Sequence, residues 1–231
     1  MSGILYIVSV PIGNLEDITL RALRILKEVD LIAAEDTRHT RKLLSYYDIH
    51  KPIVSYHEYN ETQMDKLLIT KLQAGNNIAI VSDSGTPVIS DPGFTIVNAC
   101  IKENIKIVPI PGPSSLLASV VVSGFPLHNF VYEGFLPPKK LRRIKKLMSL
   151  TDEKRTMVFF ESPHRLVKSL NDMLEIFGDR EIVIANDLTK MFEEIYRGTI
   201  SSAIKKYTES APKGEFTLVV RGKSDDDVQK N

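Results

Sequence analysis

The sequence predicts an α/β protein of two domains, the first with a mostly parallel sheet and the second with a mixed sheet. Short runs rich in aliphatic and β-branched residues alternate with stretches in which leucines recur at helical spacing. Such alternation is typical of strand–helix–strand units, whose strands lie parallel. A length of 231 residues is enough for one large domain or two modest ones.

Five strands are predicted in the first half, at residues 4–10, 30–34, 52–56, 77–81 and 106–110. Loops rich in Gly, Pro, Ser and Asp end three of them, at residues 10–14, 82–87 and 109–115. Ligands of open α/β sheets bind beyond the carboxyl ends of the strands, so we expect these loops to meet at one crevice. The same residue types also make ordinary turns, and both interpretations remain open.

The second half is predicted to form another α/β layer, with strands at residues 130–135, 156–161, 181–185, 193–198 and 215–221. Its helices are expected at residues 114–123, 139–150, 164–177 and 200–209. We place the domains at residues 1–113 and 114–223, and we expect a frayed tail at 224–231, which has little that could pack.

Charge and motif content exclude several classes of protein. Lys and Arg total 30 against 29 Asp and Glu, and this net charge of +1 excludes a protein that coats nucleic acid over its whole surface. The chain lacks a P-loop, the glycine signature of dinucleotide-binding folds, and metal-binding His or Cys spacing. The first apolar run is too short to span a bilayer and has no basic leader, so we expect a cytoplasmic protein without a membrane partner.

Two adjacent carboxylates, Glu35 and Asp36, follow the second predicted strand. A neighbouring charge can raise one pKa, so that one carboxylate acts as a base while the other orients a partner. Alternatively, Asp36 or Thr37 caps the helix that follows. Spacing does not decide between these interpretations, and they can coexist.

Basic residues are concentrated at residues 139–155, where eight Lys and Arg face two acidic residues, a local charge of +6. A solvated helix face is the simpler interpretation. The excess in an otherwise neutral chain favours phosphate binding, because a phosphodiester backbone rewards several basic contacts together.

Read together, five motifs resemble the ribosomal RNA small subunit methyltransferase I family of the tetrapyrrole methylase superfamily. They lie at residues 5–19, 34–38, 82–93, 109–114 and 160–165, and the similarity runs from about residue 4 to residue 221. The resemblance implies a two-domain class III methyltransferase fold, a homodimer, and S-adenosylmethionine (SAM) as methyl donor in a cleft between the domains. The implied reaction is 2′-O-methylation of a cytidine ribose in the decoding region of 16S rRNA in the 30S subunit.

The resemblance also implies roles for particular residues. The residues expected to contact SAM are Ile12, Gly13, Ser84, Gly85, Thr86, Ile89, Ser114 and Ser115. Thr86 stands where many tetrapyrrole methylases carry an Asp. Glu35 and Asp36 are the candidates for the catalytic base or for orienting the ribose. The residues expected to contact RNA are Arg38, Lys139, Lys140, Arg142, Arg143, Arg165 and Lys190.

Lys190 and Glu193 match a Leu-Thr-Lys-x-Phe-Glu-Glu motif of the RNA enzymes, although Asn186-Asp187 departs from the expected Arg-Glu before it. Two alternatives remain. One is a methyltransferase of tetrapyrroles, precorrins or other small molecules on the same scaffold, and the other is a non-catalytic RNA-binding assembly factor.

Overall fold

The computed structural model describes residues 2–224, which form two compact units at residues 2–114 and 115–224. Each unit contains its own sheet and its own buried apolar clusters. The frayed tail predicted for residues 224–231 lies, apart from Ser224, outside the described residues.

The described part of the first unit contains a five-stranded sheet whose neighbouring strands are all parallel. The strands are β1 (Ile4–Val8), β2 (Leu31–Ala34), β3 (Ile53–Ser55), β4 (Ile78–Val81) and β5 (Lys106–Ile110), in the order β3-β2-β4-β1-β5. The helices are α1 (Leu20–Glu28), α2 (Thr37–Tyr46), α3 (Glu61–Gln73) and α4 (Phe94–Lys102). The parallel sheet predicted for this half is confirmed.

Both faces of the first sheet are covered, which explains why its central strands are continuous apolar runs. Every residue of β2 and β4 is buried. Ile78 and Ile80 belong to a cluster with side chains of α3 and α4, whereas Ala79 and Val81 belong to one with α1 and α2. The sheet is therefore fixed on both sides, and its loops are positioned by a rigid support.

The described part of the second unit contains a mixed five-stranded sheet, as predicted. Its strands are β6 (Phe130–Phe135), β7 (Thr156–Glu161), β8 (Glu181–Asn186), β9 (Glu194–Thr199) and β10 (Phe216–Val220), in the order β6-β7-β10-β8-β9. The β6–β7 pair is parallel and the other pairs are antiparallel. The helices are α5 (Ser115–Val121), α6 (Lys140–Met148), α7 (Leu166–Phe177) and α8 (Ile200–Glu209).

This topology brings the carboxyl ends of β6, β7 and β8 to the same edge of the sheet as the amino ends of β9 and β10. We call it the motif edge, and it carries residues 136–139, 161–165, 187–193 and 211–215. Within residues 2–224, no helix combines the length and the apolar character that a membrane span requires.

Candidate active site

The loops after β1, β4 and β5 meet at the carboxyl end of the first sheet, because β1 lies between the other two strands. Val10, predicted to continue the first strand, instead leaves the parallel ladder and pairs with Gly85. Each backbone N–H of this pair donates to the other residue's carbonyl, at 2.8 and 3.1 Å. The β1 loop is thereby joined to the β4 loop.

Thr86 connects all three loops through its hydroxyl group. Its Oγ1 lies 2.9 Å from Ser9 Oγ and 3.3 Å from the carbonyl oxygen of Pro113, to which it donates. Many tetrapyrrole methylases carry an Asp at this position. An ionised Asp has no proton to donate to that carbonyl. Thr86 therefore has a structural role here that the sequence did not reveal.

Gly85 occupies a position where a side chain would be strained and would contact two neighbouring loops. Its φ of +75° lies in the left-handed region that favours glycine. A Cβ there would stand 3.4 Å from Ile12 Cγ2 and 3.9 Å from the Pro113 carbonyl oxygen. The absence of a side chain leaves a cradle between the β1 and β5 loops.

The β4 loop continues through further residues with positive φ, among them Val88 at +75° and Ser90 at +63°. A β-branched residue in this region is a true outlier, with a cost of about 1–3 kcal/mol. Gly93 makes the conformation possible, since a Cβ there would lie 2.8 Å from Val88 Cγ2. The Gly93 N–H donates to Glu61 Oε1 at 2.8 Å, so that α3 holds the loop in place. Strain that is held by its surroundings is typical of functional sites.

Three carboxylates gather beyond β2 and β4: Glu35, Asp83 and Asp91. The Asp83 N–H donates to Glu35 Oε2 at 3.3 Å, and the Asp36 N–H donates to Asp83 Oδ1 at 2.9 Å. Burial, followed by the charges of Glu35 and Asp83, raises the pKa of Asp91 to about 7 against an opposing hydrogen bond from Ser82. Burial also raises the pKa of Glu35. Asp91 is thus suited to accept a proton near neutral pH, and the raised pKa makes Glu35 a stronger base than an ordinary Glu.

Asp36 differs from these groups, because its surroundings stabilise the ionised carboxylate and argue against the catalytic role that the sequence suggested for it. It is the N-cap of α2, and its Oδ1 accepts from the Arg38 N–H at 2.8 Å. The Arg38 guanidinium donates to both carboxylate oxygens, at 3.2 and 2.7 Å, and holds the pKa of Asp36 well below its usual range. A carboxylate so stabilised in its ionised form is a poor base. The capping interpretation is correct.

The other residues expected to contact SAM lie in or next to the converging loops. Ile12 is buried, and Ile89 is 44% exposed in the strained part of the β4 loop. Gly13 is exposed and Ser84 is half-buried. Ser114 ends the first unit and Ser115 begins α5 in the second.

The basic residues of the second unit divide into two groups. Lys139, Lys140 and Arg142 are exposed at the start of α6. Arg143 is 5% exposed, donates to Asp172 Oδ2 from Nε at 2.6 Å, and donates to the Pro138 carbonyl at 3.1 Å. The expectation that Arg143 contacts RNA is wrong, because its guanidinium is enclosed and already paired. Its position four residues before the buried Leu147 was the available sequence signal.

Arg165 is also engaged within the protein. Its guanidinium donates to the carbonyl of Leu136 and to Glu161 Oε2, while buried Glu161 also accepts from the Ser162 N–H and the Ser169 hydroxyl. The motif at residues 160–165 thus connects the end of β7 to the end of β6, and the RNA contact expected of Arg165, whose side chain is 25% exposed, stays a prediction.

Lys190 lies at the motif edge between two carboxylates, 3.2 Å from Asp187 Oδ1 and 3.3 Å from Glu215 Oε2. Asp187, which departs from the family pattern, is therefore the partner of the family's lysine. The Lys190 ammonium group thus helps to fix the loop, and its expected contact with RNA stays a prediction. In residues 2–224, no group of three or more His, Cys, Asp or Glu side chains is arranged to hold a metal ion.

Known proteins match this sequence over nearly the whole chain. Residues 4–204 match the family described as Tetrapyrrole (Corrin/Porphyrin) Methylases. Ribosomal RNA small subunit methyltransferase I of Thermotoga maritima is 52% identical over 221 residues, which cover 96% of this chain and 99% of that protein. The protein of the same name from Bacillus subtilis is 47% identical, over 99% of this chain and 78% of that one.

Solved structures with low sequence identity share the fold. Uroporphyrin-III-C-methyltransferase from Thermus thermophilus superposes with a TM-score of 0.67 at 20% identity, covering 95% of this chain and 94% of that one. A diphthine synthase superposes with a TM-score of 0.71 at 14% identity, covering 96% and 91%. These two confirm the tetrapyrrole-methylase-like α/β fold, and the relatives with higher identity decide the family. The chain belongs to the ribosomal RNA small subunit methyltransferase I family.

Proposed function

We propose that this protein transfers a methyl group from SAM to the ribose 2′-hydroxyl of a cytidine in the decoding region of 16S rRNA. The observation that carries the proposal is the 52% identity to a small-subunit rRNA methyltransferase over 96% of this chain and 99% of that one. Methyltransferase activity and the small-subunit RNA substrate follow from the family. The nucleotide and the 2′-oxygen are the finer part of the proposal.

The convergent loops fit a bound SAM, which supplies an electrophilic methyl group. The cradle at Gly85 would accept the donor without steric conflict, since a side chain there would fill it. Ile12, Gly13, Ile89 and the hydroxyl-bearing Ser84 and Thr86 would line the same loops, with Ser114 and Ser115 as further contacts. Rigid loops favour alignment, which is the main requirement of an in-line displacement.

A ribose hydroxyl must lose its proton as the new bond forms, and we assign this proton transfer to Glu35 and Asp91. Burial and the charge of Glu35 raise the pKa of Asp91 to about 7, so its proton exchanges readily near that pH, and burial raises the pKa of Glu35. A positioned base contributes about 10²- to 10⁴-fold to such a step. Asp36, which is neutralised by Arg38, is left out of the catalytic assignment.

Phosphate contacts are assigned to the exposed cations Lys139, Lys140 and Arg142, and to Arg38, whose side chain is 84% exposed. Such contacts position RNA without reading its sequence. The two compact units support a domain division near residues 113–114. The resemblance further supports a cytoplasmic homodimer acting on the 30S subunit.

The test incubates the purified protein with labelled SAM and with either unmodified 30S subunits or deproteinised 16S rRNA. We expect label in one nucleoside, released as 2′-O-methylcytidine and mapped to the decoding region. Label on a base would contradict the 2′-oxygen assignment, whereas methylation of a uroporphyrinogen instead of RNA would contradict the whole proposal. Omission of each RNA in turn identifies the form of the substrate.

A further inference from the structure

The segment after β3 lies next to the candidate active site and contains His57. β3 pairs with β2 in parallel, with Ser55 in register with Ala34, and the Tyr56 N–H donates to the Ala34 carbonyl at 2.7 Å. Glu35 follows Ala34 in the chain, and His57 follows Tyr56. Because neighbouring strands are about 4.8 Å apart, the sheet brings Glu35 and His57 close together at its carboxyl end.

Hydrogen bonds fix the backbone of His57 on both sides. Its N–H donates to Asn60 Oδ1 at 2.9 Å, and its carbonyl accepts from the N–H groups of Asn60 and Glu61 at 2.9 and 3.2 Å. Asn60 Nδ2 donates to the Ser55 carbonyl at 3.1 Å, which connects the segment back to β3. The imidazole is therefore presented from a rigid support, as precise positioning of a reacting group requires.

His57 and Glu35 each carry a polar atom without a hydrogen bond. His57 Nδ1 is closed to solvent and has no partner within residues 2–224. Glu35 is half-buried, and its Oε2 accepts a long bond of 3.3 Å from the Asp83 N–H, whereas no described residue donates to its Oε1. A buried polar atom without a partner is rare in folded proteins and requires an explanation. A nearby carboxylate oxygen that still accepts nothing provides one.

The charges around Glu35 distinguish His57 from its other neighbours. Burial raises the pKa of Glu35, the hydrogen bond from the Asp83 N–H lowers it, and the charges of Asp83 and Asp36 raise it. Asp91 faces the same group, because its own pKa is raised by the Glu35 charge. The charge of His57 lowers the pKa of Glu35, and among the described side chains that change this pKa His57 alone is basic. His57 therefore favours the ionised form of Glu35, which is the form that accepts a proton.

Two acidic residues close to His57 in the chain are not its partners. Glu58 is exposed, and Glu61 Oε1 accepts from the Gly93 N–H at 2.8 Å. Neither forms a hydrogen bond or an ion pair with the imidazole in the part of the chain that the structure describes. Glu35 is therefore the favoured acceptor for the imidazole N–H.

We propose that His57 is a positioning residue for methyl transfer, whose Nδ1–H donates to Glu35 Oε1 once the substrate is bound and so orients the Glu35 carboxylate toward the ribose hydroxyl. The proposal rests on the proposed function, which assigns proton acceptance to Glu35 together with Asp91. As the ribose O–H bond breaks, its proton passes to Glu35 and the oxygen forms its bond to the methyl carbon. The electron pair of the S–CH3 bond stays on sulfur. A carboxylate of fixed orientation meets the proton in the geometry that the transfer requires.

The experiment compares wild type with His57→Asn, His57→Gln, His57→Ala and His50→Ala in the full chain. The amide of Asn places an N–H donor close to the position of Nδ1, whereas the longer Gln places it close to Nε2. His50, whose side chain is 83% exposed and paired with Asp48, is the control histidine of the same unit. The kcat and KM for unmodified 30S subunits are measured across pH, and SAM affinity is measured by calorimetry. Carbon-13 NMR of the carboxyl groups follows the titration of Glu35, with Glu35→Gln identifying its resonance.

We expect His57→Ala and His57→Gln to lower kcat by about 10- to 150-fold, the equivalent of one hydrogen bond to a charged group. His57→Asn should retain most of the wild-type kcat, and His50→Ala should match wild type. The KM for 30S subunits and the affinity for SAM should be equal in all five proteins, because the imidazole acts through Glu35. The NMR midpoint of Glu35 should move to higher pH in His57→Ala, since the loss of a basic neighbour leaves the acidic ones in place.

Wild-type kcat in His57→Ala would overturn the inference, as would equal losses in the Asn and Gln variants, which a side chain that only fills space would produce. If His57→Ala does not fold, the comparison of Asn with Gln decides the question. If wild-type protein leaves 30S subunits unmethylated but the Glu35 midpoint depends on His57, the proposed function fails and the contact between the two residues stands. If 30S subunits are methylated while kcat and the Glu35 midpoint are both independent of His57, the reverse holds.

Discussion

Glu35 and Asp83 connect two loops of the first sheet, because the carboxylate of each accepts a hydrogen bond from the backbone of the other loop. Glu35 Oε2 accepts from the Asp83 N–H, and Asp83 Oδ1 accepts from the Asp36 N–H. Two acidic side chains are thereby held close to each other although their charges repel. Asp91 adds a third carboxyl group, and burial, followed by the charges of Glu35 and Asp83, raises its pKa to about 7. The arrangement places a carboxylate that can act as a base near pH 7 at the carboxyl end of the sheet.

Asp91→Asn should lower kcat by about 10²- to 10⁴-fold, because it removes a carboxylate assigned to accept the ribose proton. In wild type, kcat should rise with pH through about 7 as Asp91 ionises. The substitution should remove this rise, and calorimetry should find SAM affinity unchanged.

Glu35→Gln should change the pH dependence of kcat in a different way from Asp91→Asn. Removal of the Glu35 charge should lower the pKa of Asp91, so that any residual activity extends to lower pH than in wild type. A pH profile that is the same in wild type and both variants would exclude Glu35 and Asp91 as the proton acceptors.

The free energy of unfolding should fall with the same ionisation of Asp91 that raises kcat. Asp91 has its pKa raised from 3.8 to about 7 on folding, so the folded state binds more protons in this interval and the free energy of unfolding falls as pH rises through it. Asp91→Asn should therefore match wild type in thermal stability near pH 4 and exceed it near pH 8. Equal melting temperatures at pH 8 would show that the carboxyl group is not destabilised by its surroundings.

Sequence patterns predicted the sheets and the converging loops, because apolar periodicity and turn residues are local properties. They did not identify Asp91, whose Asp-Pro-Gly context is typical of any turn and whose pKa depends on burial and on Glu35, 56 positions away. They also placed Arg143 on the RNA surface, because the sequence does not distinguish an arginine that is paired inside the fold from one that is exposed. Contacts between residues that are far apart in the sequence become visible only in the three-dimensional structure.

Gly85→Ala should abolish SAM binding, because the added Cβ enters the cradle between the β1 and β5 loops. Gly124→Ala is a matched control: its φ is +77° against +75° at Gly85, but a Cβ there would meet no atom of residues 2–224 within 4 Å. Both variants should lose about 1 kcal/mol of stability from the left-handed backbone. Calorimetry with SAM separates them, and equal loss of affinity in the two would remove the cradle from the donor site.

Replacement of Lys139, Lys140 and Arg142 by Ala should weaken RNA binding and flatten its dependence on salt. Each lost phosphate contact lowers the slope of log K against log salt by about 0.7 for single strands, or about 2 for the three together. Titrations of labelled RNA between low and high salt measure the slope. Lys27, Lys42 and Lys102, on helices of the first unit, provide a control triple of equal charge. An unchanged slope in the variant that lacks Lys139, Lys140 and Arg142 would favour the alternative interpretation, an ordinary solvated helix face.

Arg143 should matter for folding and not for RNA. Its guanidinium and the Asp172 carboxylate are 6% and 7% exposed and lie 2.6 Å apart, so removal of one partner leaves the other charge buried, with only the Lys140 ammonium, 3.9 Å from Asp172, as a weaker partner of the carboxylate. Arg143→Met and Asp172→Asn should each cost about 3–5 kcal/mol in denaturant unfolding, whereas the double variant Arg143→Met/Asp172→Leu should recover most of that loss. The double variant should bind RNA with the salt slope of wild type. A slope reduced by about 0.7 in this folded variant would restore Arg143 to the RNA surface.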